Sequence, residues 1–214
     1  MSERKVLNMK EYVEDGKLCL ENFKLENCKI AELQCKEIYF EKCIFSNVIF
    51  ESHFDDVSIS IEECEFRHCE FHGSLGQSYL VLKDNLFKES QFENIRMEFD
   101  SEVSYMAGNG FFNCSFKNVK LESDIEYLNQ YISGGKIEDV LFRSSNMTSN
   151  QFLNMRFKDV ELSAYFIDNK MHSVLFENVT LTGVMKECPG ENNLNVFFKC
   201  DTSGFTFIDQ YARY

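Results

Sequence analysis

Two histidines, His68 and His72, lie four residues apart among the carboxylates Glu62, Glu63, Glu65 and Glu70. On a helix, a histidine pair at that spacing can hold zinc, and grouped carboxylates can do acid–base work. Nine cysteines add thiol and metal-ligand chemistry. None of these groups completes a recognised constellation. The chain has no C-x-x-C, no H-E-x-x-H, no G-x-S-x-G and no phosphate-binding glycine loop. What the residues can do therefore depends on the backbone that positions them.

The backbone pattern is plainest from Leu18 onward. Apolar residues recur at Leu18, Leu20, Phe23, Leu25, Cys28, Ile30, Leu33, Cys35, Ile38, Phe40, Cys43, Phe45, Val48 and Phe50, alternately two and three apart. A period of five scatters round a helix turning about 100° per residue, and it breaks strict strand alternation. A five-residue unit with two side chains in, three out and a turn satisfies the pattern, and its repetition marks a solenoid. Taking the second inward residue as the centre, the predicted core column contains Leu20, Leu25, Ile30, Phe40, Phe45, Phe50, Phe66, Phe71, Phe87, Phe92, Phe116, Phe142, Phe152, Phe157 and Phe176. Cys43, Cys64, Cys69 and Cys114 take the smaller inward position, where a free thiol behaves as a small hydrophobe. Asn and Asp recur two residues after the centre, at 22, 27, 47, 84, 94, 113, 118, 139, 154, 159 and 178. Both suit turns, because their side chains bond nearby backbone and tolerate unusual φ. In this phase His68 and His72 point outward from neighbouring faces as surface histidines.

The hexamers F-E-K-C-I-F (40–45), F-R-H-C-E-F (66–71), F-K-E-S-Q-F (87–92), F-K-D-V-E-L (157–162) and F-E-N-V-T-L (176–181) resemble the pentapeptide-repeat proteins. The resemblance covers roughly residues 18–181. It implies an all-β fold, a right-handed quadrilateral parallel β-helix with four pentapeptides per turn. The Asp or Asn common before the centre in that family is mostly replaced here, by Ile44, Glu65, Leu86, Leu141 and Leu175. The Phe- and Cys-rich pattern is most similar to the quinolone-resistance branch, whose members mimic DNA and bind bacterial topoisomerase.

The net charge of −13 argues against direct nucleic-acid binding through phosphates and allows a protein partner. The acid is uneven: residues 1–107 hold 22 acids and 12 bases, residues 108–214 only 13 and 10. The outward residues Glu21, Glu41 and Glu62 lie about one coil apart and form the candidate partner face. The odd cysteine count and the absence of a secretory leader point to a reducing, cytoplasmic setting, and no apolar run reaches membrane-spanning length. A narrow coil filled by Phe leaves little concave space, so neither enzyme activity nor a cofactor is expected.

In chain order, residues 1–17 are expected to cap the solenoid as a short strand or helical turn. The repeat over 18–181 is expected to break near 51–60, 72–81, 98–110, 122–136 and 163–170. The segment 122–136 has spacing for one or two helical turns ended by Gly134 and Gly135. Residues 182–214 then hold a loop with the only proline, Pro189, a last partial turn and a C-terminal cap. Resemblance to the family makes that end a homodimer contact.

Overall fold

The computed structural model describes residues 5–7, 9–31, 35–55, 57–76, 79–99, 105–123, 126–128, 130–184 and 195–209. They form a parallel β-solenoid whose coils have four faces. The first face stacks Lys17–Glu21, Glu37–Glu41, Ser58–Glu62, Tyr79–Lys83, Tyr105–Ala107, Glu126–Leu128 and the ends of Lys136–Thr148 and Arg156–Ile167. The second face is a nine-stranded parallel sheet running from Lys24–Glu26 to Val196–Phe198. At about 4.8 Å per strand it spans roughly 40 Å. The third and fourth faces share longer strands that bend at a corner, such as Gln91–Phe99, Ser115–Ser123 and Leu175–Val184.

Register explains the repeat. On the second face Leu25, Phe45, Phe66, Phe87, Phe111, Ile132, Phe152, Met171 and Phe197 pair in one column. Successive members are 20, 21, 21, 24, 21, 20, 19 and 26 residues apart. The spacing from first-face to second-face column, and from second to third, is always five. The fourth-face column runs Phe54, Leu75, Met97, Leu121, Phe142, Leu162, and the first-face column that follows runs Ile61, Leu82, Met106, Tyr127, Met147, Phe166. The steps between them are seven, seven, nine, six, five and four residues. Most length variation therefore enters at one corner. Two others keep the pentapeptide step, and the third-to-fourth step is five in the later coils but four from Phe50 to Phe54 and from Phe71 to Leu75.

That placement corrects the expected interruptions. The described residues of 122–136 form no helical excursion. Glu126–Leu128 and Tyr131–Ser133 are strands of the first and second faces, and Ile132 stands in the core column. The apolar spacing of Leu128, Tyr131 and Ile132 is that of two short strands meeting at a corner. Within 98–110, Tyr105–Ala107 and Gly110–Phe112 are likewise strands. Strands Ile49–Asp55 and Ser58–Glu62 occupy most of 51–60, Glu70–Gly76 and Tyr79–Lys83 most of 72–81, and Arg156–Ile167 extends into 163–170. The solenoid also reaches beyond 18–181. Lys5–Leu7 pairs in parallel with Cys28–Ala31, and Val196–Phe198 and Phe205–Asp209 add the last rung. A short 3-10 turn, Met9–Tyr12, places Met9 over the first rung, and Val13–Glu14 folds back antiparallel on Lys17–Glu21. Pro189 and residues 210–214 lie outside the described residues.

Leu20, Leu25, Ile30, Phe40, Phe45, Phe66, Phe87, Phe152, Phe157 and Phe176 are buried, as are Cys43, Cys64, Cys69 and Cys114. Phe50, Phe71, Phe92 and Phe116 depart from the expected full burial: they pack on the core but are only half-buried. Ile137, next in that column, is half-buried too, so the third face is incompletely covered from Phe50 to Ile137. The side chain of Phe142 lies outside those described.

The corners are left-handed. All eleven Asn and Asp turn positions have φ between 50° and 55°. So do Lys42 and His68, with Glu89 at 49°, and for such residues this region is strained by roughly 1–2 kcal/mol. Asn relieves part of that strain. His68→Asn and Glu89→Asn should each raise stability by about 0.5–1 kcal/mol. The His68–Glu89 contact they remove, 3.1 Å between two exposed side chains, contributes little. Urea unfolding of the two variants checks this, and a fall in midpoint for both would contradict it.

Candidate interaction face

Glu21, Glu41 and Glu62 stack directly over one another on the first face. The column is short, because Lys83 occupies the next rung and Ala107 the one after. Its middle carboxylate is already engaged. Lys42 contacts Glu41 and lies 4.0 Å from Glu63, and the Tyr39 hydroxyl donates to Glu41 at 2.6 Å. Lys42 first, then Tyr39, holds the Glu41 carboxyl below its usual range. The same bond to Glu41 pushes the Tyr39 phenol up to about 12. On Glu62, Ser60 donates at 3.2 Å.

The third face is charged differently. Glu93, Lys117, Glu138, Lys158 and Glu177 pair in one column with alternating sign. Lys158 lies 2.9 Å from Glu138, and Arg156 lies 2.5 Å from Glu177. On the second face Arg67 (2.5 Å) and Lys88 (2.8 Å) hold Glu65 down to about 2. The fold thus spreads the dense carboxylates over different faces: Glu62 on the first, Glu63 at a corner, Glu65 on the second and Glu70 on the third. His68 sits at a left-handed corner, while the His72 Nδ1 meets the Glu93 carbonyl at 3.2 Å. Among the described residues no group of three His, Cys, Asp or Glu is arranged to hold a metal. The eight described cysteines are free, and burial pushes the Cys114 thiol up to about 11.

Reasoning from sequence missed an interior amide ladder. Asn85, Asn109, Gln130, Asn150 and Asn169 are buried two residues before the second-face centres, continuing the column of Cys43 and Cys64. Asn85 Oδ1 accepts from the Cys64 backbone N–H at 2.9 Å, and Asn109 Oδ1 accepts from that of Asn85 at 3.0 Å. Their side-chain amides donate to Ile61 O (2.7 Å) and Leu82 O (2.9 Å). Each rung thereby satisfies backbone groups where the chain turns inward. At Gln130 the ladder breaks. Its Nε2 reaches Met106 O (2.7 Å) and Leu128 O (2.9 Å), but Oε1 is buried with no hydrogen-bond partner among the described residues. Asn recurring two before a centre, at 85, 109, 150 and 169, was the available signal.

Because the Tyr39–Glu41 bond is the largest cause of the phenol's shift, Glu41→Gln should bring Tyr39 down toward its ordinary value near 10. Difference spectra of tyrosinate formation between the two proteins report this. Superimposable titrations would mean that the bond is not made in solution.

No family model matches the chain, and no curated protein does. Solved structures do. A trypsin-treated variant of QnrB1, a plasmid-mediated fluoroquinolone resistance protein, aligns over 87% of this chain and 90% of its own, with a TM-score of 0.51 and 14% identity. A second QnrB1 variant aligns at TM-score 0.41 and 12% identity, over 88% and 90% of the two chains. HetL, a pentapeptide repeat protein involved in heterocyst differentiation regulation from the cyanobacterium Nostoc sp. strain PCC 7120, aligns at 0.22 and 9%, over 89% and 91%. The periodicity, the four-faced parallel stack and the QnrB1 alignment agree: the chain has the β-solenoid fold of a pentapeptide-repeat protein.

Proposed function

We propose that this protein is a non-enzymatic interaction module that docks on a protein partner in a reducing cytoplasm and uses no cofactor. The observation that carries this reading is the uneven corner. Two corners of the rod keep a fixed five-residue step and a third varies only between four and five, while the one between the fourth and first faces varies from four to nine residues. Loops placed by a rigid scaffold are where recognition residues concentrate. The nine-residue step, the longest of these six, contains residues 100–104. Deleting them should preserve cooperative unfolding, since neighbouring coils close the same corner with fewer residues, and should abolish capture of the partner from native cytosol. A deletion variant that folds and still captures the same partner would overturn the assignment.

A second reading is an acidic DNA mimic directed at a type II topoisomerase. The in-register Glu21, Glu41 and Glu62 favour it, as does the fold shared with a fluoroquinolone resistance protein. Lys83 and Lys42 weigh against it by ending and partly neutralising the column. Long-range attraction of this kind is screened within about 8 Å at physiological salt. Under this reading the protein inhibits gyrase supercoiling at micromolar concentration, and changing all three glutamates to Gln abolishes that inhibition. Under the leading reading supercoiling is untouched by either protein.

The homodimer belongs to the proposal too. On the last rung Val196, Phe198, Phe207 and Ile208 are exposed, with Phe198 52% accessible. A second copy meeting this end would cover them. Sedimentation should give a dimer that Phe198→Glu converts to a monomer, and a monomeric wild type would remove this contact from the proposal.

A further inference from the structure

Both phenylalanine columns stop at the same coil. On the second face the rings of Phe45, Phe66, Phe87 and Phe111 stack with centroids 4.7–4.9 Å apart and planes within 10°. The next rung is Ile132. On the third face Phe50, Phe71, Phe92 and Phe116 stack at 4.6–4.9 Å, and the next rung is Ile137. Phe152 and Phe157 resume one coil later. Two isoleucines in place of two rings leave a cavity of about 90 Å³, whose lining includes Phe111, Phe116, Ile132, Ile137, Met106 and Met147 beside Gln130 and Asn150.

We propose that this cavity is a binding site for a small, neutral, apolar molecule. Water is a poor occupant, because a buried water needs two to four polar partners. The Gln130 side-chain N–H groups are committed to two carbonyls, and the Asn150 Oδ1 accepts from the Gln130 backbone N–H at 2.9 Å. The one unpartnered atom among the described residues, Gln130 Oε1, is a single acceptor where a buried water needs at least two partners. An apolar chamber instead stays dry and takes an apolar guest, which regains the dispersion contacts that the facing rings lack. An engineered apolar cavity of about 150 Å³ admits benzene. At about 90 Å³ the guest here is smaller, a xenon atom or a hydrocarbon of about three carbons. The same coil carries the broken rung of the amide ladder, so a guest joins two well-packed stacks at their weakest junction.

The test uses the full chain with xenon and cyclopropane as probes. Xenon-pressurised crystals should show one atom between Phe111 and Phe152, and the melting temperature should rise with cyclopropane concentration until the site saturates. Ile137→Phe continues the third-face stack and should abolish both effects. Should that ring not fit, Ile132→Phe continues the second-face stack from Phe111 instead and should weaken both. Ordered water filling the cavity, no xenon within it, or a cyclopropane response unchanged in both variants would each overturn the proposal.

Discussion

The structure depends on parallel, in-register stacking. Each residue lies over its counterpart one coil later, so whatever a position holds is repeated up a column about 4.8 Å at a time. For an aromatic ring that repetition is favourable. Phe66 lies between Phe45 and Phe87 with nearly parallel planes, and each ring also meets the edge of a third-face ring, as Phe66 does with Phe71 at 5.5 Å. Such pairs add about 0.5–1.5 kcal/mol beyond the burial of area. In a solenoid such nearest-neighbour terms add to the intrinsic stability of each repeat. The same logic serves amides: stacked Asn on the outer corners donate side chain to side chain, as Asn47 does to Asn27 at 2.7 Å.

Stacking also explains what the sequence discloses. A column tolerates only residues that can lie on copies of themselves, so the five-residue phase shows through as Phe, Cys and Asn recurring in step. The side on which each centre lies, and the left-handed corners, were therefore legible. Tyr127 and Ile132 were not, because a one-residue slip between Leu121 and Tyr127 takes them out of phase with the preceding units, and their spacing then imitates a helix. Pairing with Met106 and Phe111 decides the matter, and pairing is not local. The half-burial of Phe50, Phe71, Phe92 and Phe116 was hidden too, because they share repeat phase and residue type with the buried Phe45, Phe66 and Phe87.

The acidic column fared differently. Its register followed from the repeat, but its neutralisation did not. Lys42 is adjacent to Glu41 in sequence, yet its left-handed corner, φ 53°, is what aims it along the face. Tyr39 shares the strand with Glu41 at i, i+2, so both point outward and the phenol can donate. The amide ladder escaped because Asn fits a turn so well that its inward copies, two residues before a centre, look out of place beside Cys and Val.

Like charges stacked directly opposite repel, whereas opposite charges attract, so a long unbroken column of one sign works against the fold that aligns it. The chain shows both outcomes. Three glutamates stand together on the first face and are then stopped by Lys83, while on the third face the sign alternates from Glu93 to Glu177. A regular face of this solenoid is therefore pushed toward self-neutralisation and is a weak carrier of specificity. The places free of that constraint are those where residues do not lie on copies of themselves: the corner of variable length and the last rung, which has a neighbour on one side only. Recognition by this molecule is most readily built where the repeat fails.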